Sequence, residues 1–279
     1  MGTGQGFHMD EHNPQAPQMA DDSMVRTLAA QAEAIWPQES RLLERYAVPA
    51  AARILDAGCG TGEATRRLAA LYPAATVVGV DVLEAHLDRA RAAARGLEAR
   101  VAFERRSIFR LELPSASFDL VVCRHVLQSI AGPERAVAEL VRVTRRGGRV
   151  HLLAEDYGMI HFPPRALDPA EFWPATALRF GKAVGCDMLI GRRAPALLHA
   201  LGLRGVTVDY LVVDTLRVAR ETFAAIWKAW EDGYADVLAE HGGMSPDLVR
   251  SHLEDQIATI RDPRSYAAWL VPVVSGVVP

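Results

Sequence analysis

Residues 53–62 read Arg-Ile-Leu-Asp-Ala-Gly-Cys-Gly-Thr-Gly, a short apolar run that breaks into glycines at alternate positions, Gly58, Gly60 and Gly62. A helical pattern over residues 62–71 follows directly. A strand that turns through glycines into a helix presents bare backbone at one edge of a sheet, where a ligand can approach the chain itself. Asp81 closes the next apolar run, nineteen residues after Gly62. An acid there can accept hydrogen bonds from two vicinal ribose hydroxyls, so the pair predicts a nucleoside ligand.

The same rhythm runs on. Apolar strands at 53–57, 76–81, 100–104, 118–123 and 149–154 alternate with helical patterns at 62–71, 84–94 and 133–145. Two more strands, 206–213 and 267–274, lie among helices at 192–201, 219–240 and 246–260. The expectation is an α/β fold: a Rossmann-like, doubly wound, mostly parallel seven-stranded sheet with helical cap elements. Residues 1–23 are polar and read as a disordered leader, with 1–9, ending His8-Met9, resembling a vector-encoded tag. Residues 24–50 read as N-terminal helices, 51–155 as the nucleoside-binding core, and 156–279 as the rest of the sheet plus a helical substrate cap.

Composition excludes several partners. A formal charge of −3 leaves no basic excess to neutralise a nucleic acid. No apolar run reaches the roughly 20 residues that span a bilayer, and no signal peptide opens the chain. Three distant cysteines without metal-ligand spacing argue against a disulfide framework or zinc, and the expected location is cytoplasmic. Arginine far outnumbers lysine and alanine abounds, which suggests a bacterial source.

A dinucleotide would need a small residue at position 63, where Glu63 stands and would repel a pyrophosphate. S-adenosylmethionine (SAM) has no phosphate, and its positive sulfonium and amino groups tolerate Asp56 and Glu63. At this point the chain resembles the class I SAM-dependent methyltransferases, of the small-molecule type. Residues 54–62 are similar to that family's first motif, Val78-Gly79-Val80-Asp81 to its second and residues 118–123 to its fourth. Residues 139–148 resemble the helix and turn before strand five. The resemblance covers about residues 50–155. It implies that Gly58, Gly60 and Gly62 meet the methionine part of SAM, with Asp56 and Cys59 in the same loop. It also implies that Asp81 holds the ribose, that Val82 lies against the adenine, and that Ser107 and Ile108 border its other edge. Arg124 would face the cleft where catechol-type relatives hold a metal, and its fixed charge argues against one.

Methyl transfer is an in-line displacement that depends on holding the acceptor near the methyl carbon. A hydroxyl or acidic carbon also needs a base. His125, just past the fourth strand, and Asp156, Tyr157 and His161, past the fifth, are the catalytic candidates, because ligands bind beyond the carboxyl ends of such strands. His86, His199, His241 and His252 read as surface residues, and His151 as structural. Phe162, Trp173 and Trp227 are substrate-binding candidates in an aromatic cap, although the stripe that carries Trp227 reads first as the buried side of a cap helix. The expected activity is methylation of oxygen, nitrogen or activated carbon on an aromatic or apolar small molecule of secondary metabolism. Rival readings are a macromolecule methyltransferase, for which no charged groove or Asn-Pro-Pro-Tyr-like signature exists, and a SAM-binding scaffold or isomerase. The helices around 219–260 would serve as a lid or as a homodimer contact.

Overall fold

The computed structural model describes residues 13–165 and 167–279. Two helices come first, α1 (Ala16–Met19) and α2 (Asp22–Leu43); Asp21 caps α2 by accepting the Ser23 amide at 2.7 Å. The repeating unit follows as β1 (Arg53–Ala57), α3 (Glu63–Leu71), β2 (Thr76–Asp81), α4 (Glu84–Ala93) and β3 (Val101–Arg105). It continues through β4 (Phe118–Arg124), α5 (Pro133–Val143) and β5 (Thr144–Leu153). Beyond these lie β6 (Ile160–His161), α6 (Pro169–Ala175), α7 (Ala177–Val184), α8 (Ile190–Ala200) and β7 (Arg204–Asp214). The chain closes with α9 (Arg220–Gly242), α10 (Pro246–Arg261) and β8 (Ala268–Val277).

The sheet runs β3-β2-β1-β4-β5-β8, parallel up to β5, with β8 antiparallel to its neighbours. One edge of β8 pairs with β5 and then with β6; β7 pairs antiparallel along the other. The expected seven strands become eight among the described residues. The additional one, β6, is a two-residue continuation of the β5 edge, too short to leave an alternating pattern in the sequence. Strand order reverses at β1, which lies between β2 and β4, so the crevice beyond their carboxyl ends is where this architecture binds ligands.

Period-two alternation explains the two covered faces. Leu55, Ala57, Val121 and Cys123 pack with Leu140 and Val143 of α5, whereas Ile54, Leu120 and Val122 pack with Leu43 of α2 and Leu68 of α3. A third cluster, rich in aromatic residues, joins α6, α7, α9 and α10 to β7 and β8.

Three expectations change. Residues 1–23 are not wholly a disordered leader: 1–12 lie outside the described residues, but from Asn13 onward the chain forms α1 and the start of α2. Gln15 and Ser23 are buried there, and Gln15 accepts a hydrogen bond from the Tyr234 hydroxyl at 3.1 Å. The helix expected over 133–145 ends at Val143, because Thr144 already pairs with Phe118 and starts β5 through a register shift. His86 and His252 are buried rather than superficial: His86 turns in from α4, and His252 stacks on Phe172 with ring centroids 4.8 Å apart.

Candidate active site

A cavity of about 420 Å³ opens beyond the carboxyl ends of β1, β2 and β4, within the roughly 300–1,000 Å³ of small-molecule sites. Gly58, Gly60, Asp81, Val82, Ser107, Ile108, Arg124 and His125 all line it. Gly58 and Gly60 have φ of +76° and +52°. The left-handed backbone favours glycine at 60, where a Cβ would also stand 2.8 Å from the Leu28 Cδ1 methyl of α2 and displace it. Gly62, also at positive φ, does something else: it packs α3 against α4 and β3, with Ala90 and Phe103 each 2.9 Å from where its Cβ would be. It is not among the residues lining the cavity.

Asp81 is held by backbone. One carboxylate oxygen accepts from Gly60 N at 2.9 Å and the other from Leu83 N at 3.0 Å, which ties the end of β2 to the glycine loop. Ser107 Oγ, in the loop after β3, accepts from Phe109 N at 3.3 Å.

Asp56, Cys59, Gly58, Arg124 and His125 also surround a smaller space of about 20 Å³ against Leu28 and Gln31 of α2. Burial drives Asp56 up to about 6, against the opposing pull of the Thr65 hydroxyl, 2.6 Å away, and of Arg124. Arg124 donates through Nε to Glu39 Oε1 at 2.9 Å, and its buried Nη2 has no partner among the described residues. Glu39 is fully buried; burial alone would raise its pKa, but Arg124 and the His151 hydrogen bond outweigh it and hold the acid at about 2. His151 is structural, bridging Glu39 (3.1 Å) and the Tyr46 hydroxyl (3.0 Å).

His125 stands one residue past β4 with φ of +55°, a left-handed conformation uncommon for a side-chain-bearing residue. Its Nδ1 lies 2.7 Å from Glu155 Oε1, and its Nε2 has no partner among the described residues. A carboxylate on one ring nitrogen fixes the tautomer and leaves the other nitrogen as a proton acceptor. Glu155 was not singled out from the sequence. The available signal was its place just past β5, the parallel neighbour of the strand that carries His125.

The other catalytic candidates lie elsewhere. The buried Asp156 carboxylate binds Arg192 twice, at 2.5 and 2.7 Å, and accepts from Gly158 N, so it anchors its loop. His161 is exposed on β6, paired with Ala268. Tyr157 faces a separate small aromatic chamber that Trp173 also lines. Trp227 is fully buried and donates to Gln256 at 2.8 Å, with Phe162 packed on it at 5.6 Å between ring centroids. These two belong to the aromatic core and are not in the cavity lining. Sequence reasoning missed the contribution of α2, through Leu28, Gln31 and Glu39, and that of His86, which lines the cavity. Among the described residues no cluster of His, Cys, Asp and Glu is placed to hold a metal ion, and no helix is long and apolar enough to cross a membrane.

Residues 55–152 match the family described as "Methyltransferase domain". A demethylmenaquinone methyltransferase of Deinococcus radiodurans is 36% identical over 114 residues, covering 41% of this chain and 44% of that protein. The chain therefore spans under half the length of that relative. Phosphoethanolamine N-methyltransferase 2 of Haemonchus contortus superposes with a TM-score of 0.62 at 18% identity, covering 95% of this chain and 59% of that one. The (4+2)-cyclase SpnF superposes at 0.57 and 22% identity, covering 95% and 96%. These two likenesses concern the fold. The domain of residues 55–152 belongs to the class I SAM-dependent methyltransferases.

Proposed function

We propose that the chain transfers a methyl group from SAM to a small-molecule acceptor, with His125 as the base and Glu155 orienting it. The observation that carries this reading is the 2.7 Å contact between them at the cavity wall, with His125 Nε2 left over. SAM, when bound, supplies an electrophilic methyl on a sulfonium. The residues present suit it: Asp81 is a ribose acceptor, the unpartnered Arg124 Nη2 can receive the methionine carboxylate, and Asp56 can face the positive groups. Glu39 keeps Arg124 in place from α2, so the N-terminal helix is part of the cofactor site.

His125 takes the proton of the acceptor hydroxyl, amine or carbon acid, and Glu155 stabilises the imidazolium that forms. Only one carboxylate oxygen serves the ring; the geometry favours Nδ1 as the donor and Nε2 as the base. The test is calorimetry with SAM and its demethylated product, followed by turnover of His125→Asn. The reading requires SAM binding by both proteins and loss of turnover in the variant alone.

A second reading is a SAM-binding protein with a non-methylating role, favoured by near-complete overlap with a cyclase fold. Mass spectrometry of the products separates the two: a gain of one methyl supports transfer, and rearrangement without it supports the second reading.

A further inference from the structure

His86 has no task in methyl transfer as described, yet it lies in the cofactor cavity. It occupies the first turn of α4, is 3% exposed, and lines the same space as Asp81, Val82 and Met19. Its Nε2 is buried and has no hydrogen-bond partner among the described residues. A polar atom that gives up water without a replacement destabilises the fold. Beside a cavity, such an atom marks the place of a ligand group.

The backbone fixes which part of a ligand it meets. The Leu83 amide donates to Asp81 Oδ1 at 3.0 Å, and the Leu83 carbonyl accepts from the His86 amide at 3.0 Å. One residue thus ties the acid that ends β2 to the turn that carries the imidazole. Each Asp81 oxygen already holds an amide, Leu83 N on one and Gly60 N on the other. A carboxylate only accepts, whereas a vicinal diol offers two protons and two oxygens with lone pairs. A neutral imidazole supplies a further contact in either tautomer, because a hydroxyl both donates and accepts. The ring is uncharged there: burial holds its pKa below the ordinary value, against the pull of the Asp81 carboxylate. It therefore adds no charge that would repel a sulfonium.

We propose that His86 is a specificity-determining residue of the cofactor site: its Nε2 hydrogen-bonds the ribose diol alongside Asp81, and the two together select a ribonucleoside over its deoxy counterpart. This rests on the SAM reading of the cavity, and adds to it a residue outside the glycine loop and the acid that support that reading.

The experiment is calorimetric titration of the full chain, as wild type, His86→Phe and His86→Gln, with S-adenosylhomocysteine and with its 2′-deoxy and 3′-deoxy analogues. His86→Phe keeps a flat ring but no hydrogen-bonding atom. It should weaken S-adenosylhomocysteine about tenfold, and the analogue lacking the hydroxyl that meets His86 by less than about twofold. His86→Gln retains a donor and an acceptor and should keep more of the preference for the ribo form. Each preference is a ratio read within one protein, so differences in folded fraction between variants cancel. Equal weakening of all three ligands in His86→Phe, or no weakening of any, would overturn the proposal while leaving the cofactor reading intact. Absence of S-adenosylhomocysteine binding by the wild type overturns the cofactor reading itself.

Discussion

His125 and Glu155 meet at 2.7 Å because β4 and β5 are parallel neighbours in level register: Arg124 pairs with Leu153, and the two residues stand one and two positions beyond. The left-handed backbone at His125 belongs to the same arrangement. Residues that sit in sparsely populated backbone regions persist where the surroundings hold them, and such positions cluster at functional sites.

Removing the base should separate binding from chemistry. His125→Asn is expected to lower turnover about 10²–10⁴-fold while SAM affinity stays within a factor of a few. Glu155→Gln should fall between the wild type and His125→Asn, because a neutral amide still positions the ring but does not stabilise its charged form. Steady-state kinetics with calorimetry on the same samples checks both. A parallel loss of SAM affinity would place these residues in cofactor binding instead.

Cofactor affinity should depend on pH through Asp56. Burial holds this acid at about 6, so it is largely protonated at pH 5 and ionised at pH 7. A cationic ligand beside it binds better to the ionised form. SAM should therefore bind more weakly as pH falls from 7 to 5, and protons should be released on binding near pH 6. Asp56→Asn should flatten the dependence. Calorimetry in buffers of different ionisation enthalpy reads the proton count, and zero release near pH 6 would contradict the assignment.

Glu39 is shifted the other way, below its ordinary range, and governs stability at lower pH. Its folded pKa, about 2, lies below the ordinary 4.5, so the stabilisation is present above pH 4.5 and is lost as pH falls through 2. Glu39→Gln should cost roughly 3 kcal/mol at pH 7, since it also strands the buried Arg124 charge. The difference from the wild type should shrink towards pH 3.5. Urea unfolding at the two pH values measures it, and a pH-independent cost would mean that packing rather than charge dominates.

Trp227 should behave as core. Trp227→Ala removes a fully buried indole and its hydrogen bond to Gln256 and should cost roughly 3–5 kcal/mol in unfolding free energy. Where the variant still folds, SAM affinity should be unchanged. Unaltered stability with altered turnover would return this residue to the substrate site.

The parallel half of the fold was legible because its signals are local. Glycines at 58 and 60, the acid at 81 and the apolar strands between them each carry their own period or conformational requirement, and they converge on one cavity. The second half was less legible. A two-residue strand such as β6 has no period to read, and α6 and α7 are short helices fixed by an aromatic core rather than by their own spacing. Partners across the fold were hidden for a different reason. Glu39 lies 85 positions from Arg124, and only tertiary packing of α2 on the sheet brings them to 2.9 Å. His86 looked superficial in a charged helix because the N-terminal segment that covers it is distant in sequence. Trp227 and His161 were chosen by residue type and by loop position, and neither criterion distinguishes a cavity wall from core or from an exposed edge.

Calorimetric titration of the full chain with SAM, beside Asp81→Ala, tests the central claim most directly. The account predicts one site per chain, and a loss of roughly 1–3 kcal/mol in the variant as charge-assisted hydrogen bonds to the ribose disappear. Absence of SAM binding by the wild type, or equal affinity in the variant, would contradict it.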